Sequence, residues 1–313
     1  MLGSVFASTI GMSEPLPGAI VHGGLVGVTG RDALAFCQAQ FMNDLGRLAD
    51  GHWQWNGWLT SKGRVRALFA LIRETSEQVR IWLPDLAAET FADALRGLIF
   101  RSKVAIEAQP DAIARVEFPI APASSLESTR LDDDERGTGR SRAEIGPDTI
   151  RLDLGGAGGE CRLHLSGPGP NRPAIDPSAE RRFRLHGLRH GLPRIDGDTA
   201  EHYTPHMLSL DRLAAFSVRK GCYPGQEIVS RTHFLGQAKR GLARFSSATA
   251  IPVGAEIVEH GQPVATVVDV AADPTGGCEL LAVIGMDRAG PFDCQDSRLH
   301  ALPLLSGLAR DGQ

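Results

Sequence analysis

Between residues 29 and 45 apolar side chains recur at helical spacing, at Leu34, Cys37, Phe41 and Leu45, which sets one buried stripe on a helix. Thr29-Gly30-Arg31-Asp32 places an acidic residue three positions after a threonine, a spacing that satisfies free N–H groups where a helix begins. After Asp50-Gly51 the period changes. Trp53, Trp55 and Trp58 interleave with polar residues, and residues 65–72 form a nearly continuous apolar run behind Lys62-Gly63; the pattern predicts two strands joined by a tight turn. Residues 78–83 read as a third strand. Asp85 then opens a helix expected to reach about Phe100, with Leu86, Ala94, Leu95 and Leu98 on its buried side. Strand signals return at residues 104–106 and 113–118.

Residues 119–146 are rich in Ser, Pro, Gly and acidic side chains, including Asp132-Asp133-Asp134-Glu135, and are expected to form a solvated loop. Two further strands are expected at residues 149–154 and 160–165. Asp176-Pro177 combines a capping carboxylate with a proline suited to the first helical turn, so a helix should start there and end near Gly191-Leu192-Pro193. From Gly241 onward short β-rich runs (242–245, 264–270, 280–284 and 299–304) alternate with glycine or proline turns, the texture of a small β-barrel. Helices set among short antiparallel strands, without regular strand–helix alternation, indicate an α+β protein rather than a doubly wound sheet.

At 313 residues the chain exceeds the size at which one hydrophobic core stops growing, and a division into residues 1–240 and 241–313 is expected. Hydrophobic residues at 42% and charged residues at 22% exclude the low-hydrophobicity signature of disorder. The formal net charge of -4 removes any global attraction to nucleic acid or an anionic membrane, so a positive site must be local. Cys37, Cys161, Cys222, Cys278 and Cys294 are widely spaced and none forms a Cys-x-x-Cys pair, which favours a reducing compartment over a disulfide scaffold. The leading residues lack a basic segment, and no apolar run reaches the ~20 residues that span a bilayer. A bacterial cytoplasm is the location expected. His52, His202, His206 and His233 show no metal-ligand spacing, and no metal site is expected.

Residues 219–241, RKGCYPGQEIVSRTHFLGQAKRG, gather a thiol, glycines, an amide, a carboxylate and several cations. A cation beside Cys222 favours its thiolate and raises its reactivity. Gly221 and Gly225 permit close backbone approach to a ligand. Gln226 and Glu227 together suit a flat heterocycle carrying several N–H donors and ring-nitrogen acceptors, such as a pterin. Arg219, Lys220, Arg231, Lys239 and Arg240 can pair with carboxylates such as a folate's glutamate tail. The bland alternative is a packed thiol, a turn glycine and solvated cations; the residues alone leave both open. RNA is disfavoured because the segment lacks the stacked aromatics of single-strand binders. Trp58 is a candidate wall of a pterin pocket, although tryptophans on adjacent strands are at least as often core.

KGCYPGQE resembles the K-G-C-Y-x-G-Q-E motif of the YgfZ family, relatives of the glycine-cleavage T protein. TGRDALAFCQAQFMNDLGRLADG with LTSKGRV, and GLPRIDGDTAEHYTPHMLSLD, are similar to two further stretches of that family, so the resemblance covers most of residues 28–241. It implies an aminomethyltransferase-like α+β fold: two mixed α+β subdomains plus a C-terminal β-barrel around a central channel. It also implies a tetrahydrofolate-binding protein that helps make or repair iron–sulfur enzymes, including ones that modify tRNA. Its expected partners are folate and iron–sulfur client or assembly proteins, with no direct nucleic-acid contact and no membrane. On the resemblance Cys222 and Lys220 are the leading functional residues, with Tyr223, Gly225, Gln226 and Glu227 forming or supporting the site. Cys37 and Met42 depart from the family's usual leucine and threonine.

Where the T protein has adjacent aspartates this chain has Arg66 and Ala67, neither of which replaces an acidic partner for one-carbon transfer. A folate-dependent aminomethyl- or methyltransferase is therefore the second reading, and a folate sensor in which the motif only closes a loop the third. One thiol cannot hold an iron–sulfur cluster, which ordinarily takes four ligands, so the first reading requires a partner or an oligomer.

Overall fold

Two five-stranded antiparallel sheets and a closed six-stranded barrel make up the molecule. The computed structural model describes residues 18–119, 140–168, 174–197, 199–236, 238–274 and 276–310. The first sheet contains β2 (Gly24–Thr29), β3 (His52–Leu59), β4 (Val65–Thr75), β5 (Gln78–Leu83) and β6 (Ala105–Gln109), in the order β3-β4-β5-β2-β6. Both faces of its centre are buried, which is why residues 65–72 read as unbroken apolar sequence. Leu68, Ala70 and Ile72 join Trp53 and Trp55 in the central core, whereas Ala67, Phe69 and Leu71 join Trp58 in a second core.

That second core is closed by α1 (Ala33–Gln40) and α2 (Ala88–Arg96). Both begin within a few residues of the expected starts, but neither uses the expected acidic cap. Asp32 accepts from the Lys103 N–H at 2.7 Å, and Asp85 is engaged by the Arg194 guanidinium and the Ile195 N–H. Long-range partners have taken both carboxylates. The helices are also shorter than expected. Phe41 and Leu45 are buried beyond the end of α1, and α2 stops before Leu98 and buries Ala88, Phe91, Ala92 and Leu95, leaving Ala94 and Leu98 exposed.

The second sheet runs β1-β7-β10-β9-β8, from β1 (Ala19–Val21), β7 (Ile113–Glu117), β8 (Glu144–Ile145), β9 (Thr149–Asp153) and β10 (Arg162–Ser166). Within the expected 119–146 loop, residues 120–139, including the acidic run 132–135, lie outside the described residues, and β8 is a short strand. The helix α3 (Pro177–Arg189) starts as its sequence requires: Asp176 accepts from the Ser178 and Ala179 N–H groups at 2.8 and 3.3 Å, with Pro177 in the first turn.

The barrel is built from β11 (Arg240–Ser247), β12 (Glu256–Glu259), β13 (Gln262–Ala272), β14 (Cys278–Gly285), β15 (Phe292–Cys294) and β16 (Ser297–Leu302). Sequence patterning missed β12 and β15, which are too short to establish a period. From α3, Arg184 pairs with buried Asp269 at 2.7 Å and Arg189 with Glu279 at 2.6 Å, fastening the helix to the barrel. Beyond β16 the chain leaves the barrel and threads back between the units. Leu305 N–H donates to Arg189 O, Trp55 Nε1 donates to Leu308 O at 2.9 Å, and fully buried Arg310 donates to Asp153 O and Gly155 O. Among the described residues no helix is long and apolar enough to cross a membrane.

Candidate functional site at the start of the last helix

Residues 217–225 form a loop that delivers the chain to α4 (Gln226–Leu235). A helix was not expected here, because Gly225-Gln226-Glu227 carries no Ser, Thr, Asp or Asn cap. The helix starts from tertiary support instead. Gly225 has φ +79°, and a Cβ there would lie 2.5 Å from Thr60 O and 2.7 Å from Gly63 Cα. Only glycine lets this backbone meet the β3–β4 turn. The close approach that the sequence reserved for a ligand is thus made to the chain's own backbone.

Lys220 is 6% exposed, and its ammonium donates to the carbonyls of Gln38 (2.6 Å), Phe41 and Asn43 (3.0 Å). These carbonyls lie at and just past the end of α1, where helical C=O groups lack intrahelical partners and a cation is favoured. The ammonium also lies 4.9 Å from the Tyr223 ring centroid. Burial pulls the Lys220 pKa down to about 8, with Asp44 and then Cys37 opposing, and pushes the Tyr223 phenol up to about 12. Lys220 is therefore a strap that ties the loop to the first sheet's helix layer. Its three N–H donors are committed to protein.

The strap holds Cys222 out. Cys222 is exposed, whereas Cys37, Cys161, Cys278 and Cys294 are buried, and burial pushes the Cys37 thiol up to about 12 and the Cys161 thiol higher still. The candidate ligand groups are divided: Gln226 is partly occupied, its amide donating to Lys220 O at 3.3 Å, while Glu227 and Arg231 lie exposed on α4. Trp58 is 5% exposed, packs edge-on to Phe91 at 5.4 Å and has the Arg66 guanidinium 5.4 Å from its ring centroid. Lys220, Tyr223 and Gln226 thus come together around the loop. Trp58 is tied to the loop's anchor by its backbone bridge to Phe41.

Sequence reasoning missed the residues that fix this loop from the other side. Asn43 Nδ2 donates to Trp55 O at 2.9 Å and Ala214 O at 2.7 Å, and its N–H donates to Asn56 Oδ1 at 2.9 Å. A buried asparagine costs stability unless its polar atoms are paired, so the Asn-Asp pair ending the first motif was the available signal. Arg66, where an acidic partner was sought, pairs with Glu201 at 2.7 Å. Ala67 is buried.

Two spaces lie near these elements. A cleft of about 20 Å³ between the first sheet and α3 is walled by Trp55, Trp82, Phe183 and Leu308. That is about the room for one water. A groove of about 1220 Å³ runs between α4, the 206–218 segment and the barrel, and its wall includes His206, Asp211, Phe216, His233, Lys239 and Arg240. Its lining takes in Val218 and Thr232 but not Cys222.

Known proteins place the chain. No family model matches it. A protein from Colwellia psychrerythraea named tRNA-modifying protein YgfZ is 24% identical over 290 residues, covering 86% of this chain and 85% of the relative. A protein of the same name from Yersinia pestis is 24% identical over 317 residues, covering 92% and 91%. Among solved structures, the glycine cleavage system aminomethyltransferase T from Bartonella henselae superimposes with a TM-score of 0.69 at 17% identity, covering 93% of this chain and 86% of that one. The fold is aminomethyltransferase-like, as the motifs implied.

Proposed function

Since the chain is a homologue of the YgfZ proteins along most of its length, we propose that it is a tetrahydrofolate-binding protein that assists assembly or repair of iron–sulfur enzymes, including tRNA-modifying ones, in a bacterial cytoplasm. One observation carries the reading: the single exposed thiol among five cysteines is displayed at the start of α4 by a buried lysine strap. A thiol that only packed would be buried with the other four. Cys222 is the reactive group in this proposal, and Lys220 and Tyr223 hold its loop.

Folate is the cofactor implied, and its fit is tested by volume and donors. The groove, at about 1220 Å³, is somewhat larger than small-molecule sites of roughly 300–1,000 Å³ and offers a carboxylate, an imidazole, an aromatic wall and cations. Gln226, Glu227 and Arg231 stand on the helix that brings Thr232 and His233 to the groove and are further candidate ligands, and Gly225 sets that helix's position. Tetrahydrofolate would supply a one-carbon carrier. The iron–sulfur cluster is cargo, since one thiol cannot retain it without ligands from a client.

Aminomethyl transfer is the reading that the site supports less. The position expected to carry a carboxylate holds Arg66, and the nearby Glu201 is held in an ion pair with it. No turnover of an aminomethyl donor is expected from the purified protein.

The deciding experiment deletes the gene, assays iron–sulfur enzymes and tRNA methylthiolation, and complements with wild type or Cys222→Ser. Rescue by wild type alone, with the variant folded, supports the proposal. Equal rescue by both removes Cys222 from the mechanism, and a deletion without effect on those enzymes removes the iron–sulfur role.

A further inference from the structure

We infer that the outward side of α4, from Ile228 to Phe234, is the surface on which the client protein docks, and that the matching surface of the client is an apolar groove rimmed by carboxylates. This rests on the iron–sulfur reading above and deepens it, by giving the client's chemistry and its place beside Cys222.

α4 lacks the burial that ordinarily maintains a short helix. A helix of about ten residues is marginal alone and draws its stability from packing one face. Three of eight residues are buried in α1, four of nine in α2 and five of thirteen in α3. Among the described side chains of α4 only Val229 is buried. The other side carries Ile228, Arg231 and Phe234, three residues apart and so in line along the helix. All three are exposed, Phe234 at 66%. Met286, at 73%, adds an apolar side chain on the barrel side of the groove that Thr232 and His233 line. Exposed apolar side chains that gather on one face mark an interaction site.

The β3–β4 turn joins this face to the thiol. A Cβ built on Gly63 would lie 2.7 Å from Ile228 Cβ and 3.2 Å from Gly225 O, so the turn, Ile228 and the loop carrying Cys222 make one continuous surface. Lys62, the residue before Gly63, is exposed on it. Lys220 and Gly225 anchor the loop on either side of Cys222. A protein seated on α4 therefore meets the thiol at a fixed position.

Charge decides what kind of partner fits. Lys62, Arg219 and Arg231 are exposed and form no ion pair among the described residues, and the same holds for Lys239 and Arg240 beyond the helix. Elsewhere Arg73, Arg80 and Arg298 each lie within 3.0 Å of a carboxylate. Unpaired cations around an apolar strip complement an acidic rim around an apolar groove, the arrangement that receives an amphipathic helix. A second copy of this chain does not supply it, because a two-fold interface would set these cations against themselves. RNA fits less well: Ile228 and Met286 offer no ring for a base to stack on, and exposed Glu227 repels phosphate.

The test uses the full-length protein and, as probe, the purified iron–sulfur enzyme that methylthiolates tRNA, with tRNA alone as the contrasting probe. Phe234→Gln/Lys62→Glu, both at exposed positions, should keep the wild-type urea midpoint and weaken binding of the enzyme by about 100-fold, since one interface aromatic is worth about 30-fold. It should also lose rescue of the deletion strain. Phe234→Leu/Lys62→Arg, which keeps the apolar side chain and the charge, should retain both. Cys222→Ser should bind the enzyme as wild type does yet fail to rescue, which separates docking from chemistry. Unchanged affinity and full rescue in Phe234→Gln/Lys62→Glu overturn the docking surface and leave the thiol's role standing. Binding of tRNA that this variant loses, or a wild-type dimer that it dissociates, assigns the surface to RNA or to a second copy and overturns the inference too. A deletion strain with normal iron–sulfur enzymes overturns the reading itself, and the docking surface falls with it.

Discussion

Lys220→Met tests the strap beneath the exposed thiol. Methionine keeps most of the stem's volume and removes the ammonium, leaving the carbonyls of Gln38, Phe41 and Asn43 without that donor. A stranded buried group costs about 1–3 kcal/mol. Against this stands the cost of holding the charge in a dry place: a fall in pKa from 10.5 to about 8, at about 1.4 kcal/mol per pH unit, is about 3 kcal/mol. The net expectation at pH 7 is a destabilisation of about 2–4 kcal/mol, or a Tm lowered by about 3–6 °C for a protein of this size. The pH dependence follows from the direction of the shift. Between about pH 8 and 10.5 the unfolded lysine holds its proton while the folded one gives it up, so wild-type stability rises with pH across that window relative to the variant, by up to about 3 kcal/mol. Urea melts of both proteins from pH 7 to 10.5 measure the gap. A gap that stays constant or narrows above pH 8 would show that the ammonium is not held dry among those carbonyls.

Three other outcomes follow from the same geometry. Iodoacetamide should modify Cys222 in the native protein and all five cysteines in denaturant, because the other four are buried; mass spectrometry of native protein with two or more rapid labels would contradict this. Gly225→Ala should cost about 2–4 kcal/mol by forcing a Cβ to within 2.5 Å of Thr60 O at φ +79°, which a shift in urea midpoint reports, and Gly221→Ala, with no atom within 4 Å of its added Cβ, should cost far less. Arg310→Met should lose about 2–4 kcal/mol, since Asp153 O and Gly155 O lose a buried donor, and should shift tryptophan emission as Trp53, 5.3 Å from the guanidinium, changes environment.

Patterning located most of the fold. The strand expected at residues 78–83 is β5, with Val79, Ile81 and Leu83 on one face in the second core and Trp82 on the other in the central core, because a strand's faces are written two residues apart. The Asp176-Pro177 start of α3 was equally legible, since a cap and its N–H partners lie within three residues. The same reasoning failed at Asp32 and Asp85, whose carboxylates were claimed by Lys103 N–H, Arg194 and Ile195 N–H from distant parts of the chain. It failed again at α4, whose start carries no capping side chain and is placed by Gly225 docking against the β3–β4 turn.

At the site the division is similar. Residue identities and spacing were enough to single out KGCYPGQE and the N-terminal stretch ending in Asn43-Asp44, because a short motif records which chemical groups are gathered locally. Their division of labour was decided in three dimensions. Lys220 and Cys222 are two residues apart, yet one is buried under three carbonyls from residues 38–43 and the other faces solvent. Burial and hydrogen bonding depend on what distant segments bring to a side chain, and no local pattern carries that information. The groove has the same origin: His206, Phe216, His233 and Lys239 are spread over more than thirty residues and acquire a common wall only when α4 is laid against the barrel.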